Sequence, residues 1–185
     1  MLQIIIIVLV LAADQLSKYL LVPALETLPG RTLPVIENVF HLTYVKNHGA
    51  SFGILQGMRI FFIITTVIVL LVVGYYMIRG RKSQPRFLRI CLALLFGGAL
   101  GNLFDRVAFS FVRDLFEFRF SFFPWVFNVA DASLVIGSIM LGIYLLFIYK
   151  GKEKKGGASL FAQTKKDTEK DSAHPPDDTA DGADG

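Results

Sequence analysis

Two carboxylates stand where a chain this apolar should least tolerate them. Asp114 lies in the run FVRDLFEF, and Asp131 in FNVADASLVIG, just inside a stretch of apolar residues. An ionised carboxylate entering hydrocarbon costs roughly 2.5 to 3.5 kcal/mol even on lenient insertion scales, so its presence asks for a compensating role. Asp114 is a short loop upstream of Asp131, and the two could meet at one membrane surface, the minimum equipment for general acid and general base chemistry. Taken singly, Asp131 also fits a first-turn acid at the positive end of a helix, and Asp114 a solvated surface acid.

Other polar residues gather around them. Asp14 and Lys18 are four apart, on one helical face, where each can neutralise the other. In GGALGNLFDRVAF, Gly97 and Gly101 form a small-xxx-small face for close helix contact, and Asn102, Asp105 and Arg106 follow on one side. Arg106 with Asp105 reads as an internal clamp, because a fixed guanidinium would lock a carboxylate in its ionised form. Asn128, three residues before Asp131, can reach that carboxylate or a substrate backbone.

These residues need elements to hold them. Hydrophobic residues make up 54% of the chain, with 17 Phe, and mean hydropathy is +0.54, too apolar for an ordinary soluble domain of this size. Four stretches are long enough to cross a bilayer, approximately 2 to 22, 60 to 78, 88 to 107 and 129 to 149. The first resembles a secretory signal, but no Lys or Arg precedes position 18 and apolar residues resume after it, so it reads as a retained span. The second carries no charge and reads as an anchor. One cysteine, Cys91, allows no internal disulfide and no cysteine-based zinc site.

Loop charge sets orientation. Arg79, Arg81, Lys82, Arg86 and Arg89 crowd the link between spans two and three, and Lys150, Lys152, Lys154 and Lys155 follow span four, so both regions read as cytoplasmic. Both termini are then cytoplasmic, and segments 23 to 59 and 108 to 128 face outward with Asp114 and the start of span four. VIENVFHLTYVKN suggests one or two short strands and an outer β platform. LFEFRFSFFPWVFN alternates and then becomes an aromatic cluster around Pro124, as for a stretch at headgroup level. The expected organisation is a membrane domain over 1–150 and a disordered cytoplasmic tail over 151–185.

Several activities compete for this pattern. A transporter or channel also places ionisable residues on spans, but there is no visible internal repeat, span two is uncharged, and the polar groups collect on one side. Neither HExxH nor GxSxG occurs, which disfavours zinc and serine-histidine hydrolases. A serine-lysine pair using Ser51, or Ser17 with Lys18, is the best non-aspartic alternative.

Five strings in order along the chain, DQLSK, VKNHGASFG, GGALGNLFDR, VRDLFEF and FNVADASLVIG, closely resemble those of bacterial lipoprotein signal peptidase, also called signal peptidase II. The likeness runs over roughly residues 5 to 149. It implies an α-helical integral membrane protein of the bacterial cytoplasmic (inner) membrane, with four transmembrane helices, a small extracytoplasmic β platform and an outer loop. It further implies a metal-free aspartic endopeptidase, without cofactor, that cuts diacylglyceryl-modified prolipoproteins on the amino side of the lipidated cysteine. By motif, Asp114 and Asp131 would be the catalytic pair, near the outer face. Asp14, Lys18, Asn47, Gly49, Gly101, Asn102, Asp105, Arg106, Asn128 and Ala130 would support the site or bind substrate. The implied partners are the prolipoprotein, membrane lipid and globomycin-type inhibitors, with no nucleic acid.

Topology is directly testable. Reporter fusions at positions 83 and 156 should report cytoplasm, and fusions near 35 and 120 the outside; an outer location for 83 would overturn the charge reading.

Overall fold

A computed structural model of the chain describes residues 1–49, 57–80, 83–120 and 123–149. The expected tail over 151–185 and Ser51 lie outside the described residues. The chain divides into a compact unit, Met1–Gly142, and a second unit beginning at Ile143, of which Tyr144–Tyr149 is described as a turn of π-helix.

Among the described residues four helices are long and apolar enough to cross a membrane, as the hydropathy pattern requires: α1 (Leu2–Glu26), α2 (Arg59–Arg79), α3 (Arg86–Phe109), and a fourth stretch, Val129–Phe147, whose α-helical part is α4 (Val129–Ile143). α1 continues through Pro23 to Glu26, beyond the expected end at 22. Pro23 removes one backbone hydrogen bond near the helix end without terminating it. α3 is the central helix: 44% of its apolar window is buried, against 6 to 22% for the others. The exposed sides of α1 and α2 carry Ile4, Val8, Ile60, Ile64, Leu71 and Ile78, the side chains that a lipid environment solvates.

Glycines let α3 take this central place. A Cβ on Gly97 would lie 3.1 Å from Val10 of α1, and one on Gly98 would lie 2.5 Å from the carbonyl oxygen of Ala130 on α4. A Cβ on Gly101 would meet both Asp14 and Ala130, at 3.0 and 3.1 Å, so α1, α3 and α4 converge there. The small-residue face expected at Gly97 and Gly101 is present, and Gly98 extends it toward α4, where backbone-to-backbone approach leaves no room for a side chain.

The two connections between helix pairs carry strands that join into a single antiparallel sheet of order β1-β2-β3-β4. β1 (Thr32–Ile36) and β2 (Phe40–Asn47) follow α1, whereas β3 (Val112–Phe120) and β4 (Phe123–Phe127) follow α3. Both connections therefore lie at one end of the helices. The segment expected only to lie at headgroup level thus makes half the sheet. Pro124 is tolerated because β4 is an edge strand with no second partner to donate to.

Alternation sorts β3 onto two faces. Leu115 packs with Tyr44 and Leu25 in a small core over the end of α1. Asp114 points to the other face, which continues through stacked aromatic rings including Phe40, Phe116, Phe118 and Phe127.

Candidate active site

Asp114 projects from β3 and Asp131 from the first turn of α4, and asparagine side chains join them. Asn128 precedes α4 and starts it: its carbonyl accepts the Ala132 amide at 3.1 Å, its Oδ1 accepts the Asp131 amide at 2.8 Å, and its own amide donates to Asp131 Oδ2 at 3.2 Å. This is a reciprocal capping box built from Asn and Asp. It leaves Asn128 Nδ2 free to donate outward, to Asp114 Oδ1 at 2.7 Å and to Asn102 Oδ1 at 3.2 Å. Asn102 on α3 in turn donates to Asp131 Oδ1 at 2.7 Å. Asn47, at the end of β2, donates to Asp114 Oδ2 at 3.0 Å.

All four carboxylate oxygens of the pair thus accept from neutral amides, and among the described residues none forms an ion pair. Burial first, and then the nearby Asp131 charge, push the Asp114 carboxyl up to about 7. Desolvation penalises the charged form, and a neighbouring like charge penalises it again. Asp131 lies in the first turn of α4, where the positive end of the helix and the Asn128 backbone N–H meet its carboxyl. Two carboxyls joined through amides in this way are the equipment for acid and base chemistry.

A separate set of charges lies beneath. The Lys18 ammonium, fully buried, is 2.8 Å from Asp14 Oδ2 and 3.0 Å from Asp105 Oδ2. Asp14 Oδ1 accepts the backbone amide of Ala130 at 3.0 Å, which ties α1 to the start of α4 one residue from Asp131. Two acids meet two bases here, Lys18 and Arg113, so the cluster is neutral.

The expected clamp between Asp105 and Arg106 is not what forms. Neighbouring positions on a helix point about 100° apart, so the two side chains diverge. Asp105 is held by Lys18 and, at 2.8 Å, by Arg113. Arg106 turns instead toward the β2 end, donating to the Gly49 carbonyl at 3.3 Å and covering the Phe62 ring at 4.9 Å. Gly49 donates its own amide to Asn47 Oδ1 at 3.0 Å, so Arg106 steadies the residue that holds Asp114.

The twelve residues singled out in the sequence therefore divide into groups. Asp114, Asp131, Asn47, Asn102 and Asn128 form the amide-linked centre, Gly49 and Arg106 brace it, and Asp14, Lys18, Asp105, Gly101 and Ala130 form its floor. Arg113, Gln15 and Arg59 were missed. Arg59 donates to the carbonyls of Arg106 and Val107 at 2.9 and 3.0 Å, capping the end of α3 with a cation. A basic residue opening span two was the available signal for it. The serine-lysine alternative at Ser17 fails on geometry: the Ser17 hydroxyl donates to the Asp14 carbonyl at 2.8 Å, and Lys18 is occupied by two carboxylates. Among the described residues no group of three or more His, Cys, Asp or Glu is arranged to hold a metal ion.

Comparison with known proteins gives a consistent match. Residues 6–147 match the family model described as signal peptidase (SPase) II. The chain is 45% identical over 144 residues to the lipoprotein signal peptidase of Caldanaerobacter subterraneus, covering 78% of this chain and 95% of the relative. For the Bacillus subtilis enzyme of that name the identity is 40% over 156 residues, covering 84% and 99%. A solved bacterial membrane enzyme superposes with a TM-score of 0.69 at 38% identity, over 78% of this chain and 87% of that one.

The buried floor generates a stability prediction. Lys18→Met removes the one cation shared by Asp14 and Asp105, and stranding buried charge costs about 3 to 5 kcal/mol. Thermal unfolding of the purified variant in detergent should show a large drop in melting temperature; an unchanged value would mean that Lys18 does not hold the floor together.

Proposed function

Because the chain belongs to the signal peptidase II family, we propose that it removes the signal peptide from prolipoproteins by a metal-free aspartic mechanism. The cut falls on the amino side of the diacylglyceryl-modified cysteine, with Asp114 and Asp131 as the catalytic pair. The observation that carries this reading is the environment of the two acids: Asp114 buried and Asp131 partly so, both accepting from amides, and joined through Asn128 and Asn102.

Two carboxyls held this way share one proton at neutral pH, because ionising both in a buried site is costly. Asp131, at the helix end, serves as the base and takes a proton from water as that water attacks the scissile carbonyl carbon. Asp114 holds the other proton and gives it to the developing oxyanion. Collapse of the resulting gem-diol breaks the C–N bond: the proton taken by Asp131 passes to the leaving amine, and a hydroxyl proton returns to Asp114 as the carbonyl reforms. No covalent intermediate forms. The amides of Asn47, Asn102 and Asn128 fix the carboxylates in advance, so no reorganisation is needed as charge moves.

Placement in the membrane supports the same assignment. The four apolar helices make the chain a multi-pass membrane protein, and the loop charges support an outer location for the sheet and both acids. A lipidated cysteine anchored in the outer leaflet would then present the bond to be cut at the depth of Asp114 and Asp131.

Asp114→Asn and Asp131→Asn should each lower cleavage of a diacylglyceryl-modified precursor by about 10²- to 10⁴-fold or more while leaving the protein inserted. Added chelator should leave wild-type activity intact, and globomycin should abolish it. The pH dependence follows from the proton on Asp114: this carboxyl must be protonated to donate, so activity should fall as pH rises through about 7. Near wild-type cleavage by both Asn variants would overturn the aspartic assignment.

A further inference from the structure

Arg113 immediately precedes Asp114, and its side chain points to the opposite face of β3. Every hydrogen-bonding direction of this side chain that the structure shows is directed into the helices. Its Nε and Nη2 donate to Asp105 Oδ2 and Oδ1 at 3.3 and 2.8 Å, and Nη2 also donates to Gln15 Oε1 on α1 at 2.8 Å. Its guanidinium carbon lies 4.2 Å from the centre of the Phe109 ring. The same Asp105 carboxylate accepts the backbone amide of Arg113 at 2.9 Å. One buried acid on α3 thus grips both the main chain and the side chain of the residue beside the catalytic carboxyl.

The strand pairing explains why such a grip is needed. A slip of one residue would send every β3 side chain to the other face, exchanging Asp114 for Arg113 at the site. The register with β2 shifts just before this point, between Leu42 and Val45, and Val45 is the partner of Asp114. Directly across from Arg113 stands Lys46, a like charge that disfavours this register unless it is offset. The sheet alone therefore underdetermines where Asp114 points.

We propose that Arg113 is a positioning residue that locks β3 in register on α1 and α3, so that Asp114 faces Asp131. The proposal rests on the catalytic assignment above and extends it to a residue that the sequence reading did not single out. Arg113 does not touch the reacting atoms. Its planar fork is what the lock uses, because only a guanidinium can meet both oxygens of Asp105 and Gln15 together.

The test is steady-state cleavage of a diacylglyceryl-modified precursor by Arg113→Ala and Arg113→Lys, normalised to folded protein, beside wild type and Asp114→Asn. Displacement of a catalytic group by about 1 Å costs on the order of 10²-fold, so Arg113→Ala should lose about that factor in kcat with KM little changed. Arg113→Lys, which keeps the charge but not the fork, should fall between Ala and wild type. The residual activity of either variant should lose its alkaline limb at lower pH than wild type, because an Asp114 turned from Asp131 and toward water gives up its proton more readily. A role confined to stability would lower abundance and melting temperature but leave kcat and the pH profile of the folded fraction as in wild type, and that result overturns the proposal. If Arg113→Ala does not accumulate, Arg113→Lys decides: reduced kcat with a shifted alkaline limb supports the lock, and wild-type kcat overturns it. Inactive wild type, or active Asp114→Asn, would instead refute the catalytic assignment on which the proposal stands.

Discussion

A charge that enters a membrane protein's interior must be neutralised there, and the Lys18 ammonium does this for two carboxylates at once. It sits 2.8 Å from Asp14 and 3.0 Å from Asp105. Through Asp14 it reaches the Ala130 amide at the start of α4, and through Asp105 it reaches Arg113 on β3. The positions of Asp131 and Asp114 are therefore both referred to one buried point. Close approach of α1, α3 and α4 at Gly101 makes that geometry possible, since a side chain there would push Asp14 and Ala130 apart.

Four aspartates are buried or nearly so around this point, and their partners distinguish what each can do. Asp14 and Asp105 are paired with the cations Lys18 and Arg113 and tie helices and strand together. Asp114 and Asp131 receive, among the described residues, amide donors from Asn47, Asn102, Asn128 and the backbone. An amide orients a carboxylate without fixing its charge, so a proton can enter and leave. The same residue type thus braces the fold in one layer and, in the proposed mechanism, moves protons in the next, and the difference lies in the partner.

Much of this was legible in the chain itself. The four spans follow from hydropathy, the Asp14 and Lys18 pair from its spacing of four, and the Asn128 and Asp131 relation from its spacing of three, because helical periodicity fixes which neighbours meet. The pairing of Asp105 was misread, since Arg106 is adjacent in sequence but rotated away, while Arg113 arrives only after α3 has ended at Ser110 in a left-handed conformation (φ 72°). The contribution of β3 and β4 to the sheet was likewise hidden. Their aromatic residues suit a membrane surface and a strand equally well, and only pairing with β2 chooses between them. Gln15 and Arg59 act across helices, a relation that no local spacing records.

The central claim is that Asp114 and Asp131 share one proton at neutral pH. Infrared spectroscopy of the purified protein, with isotope-labelled aspartate, tests it most directly. Near pH 6 a single buried protonated carboxyl band should be present, should disappear as pH rises through about 7, and should be missing in Asp114→Asn. Two ionised carboxylates at pH 6, or a protonated band that survives in Asp114→Asn, would contradict it.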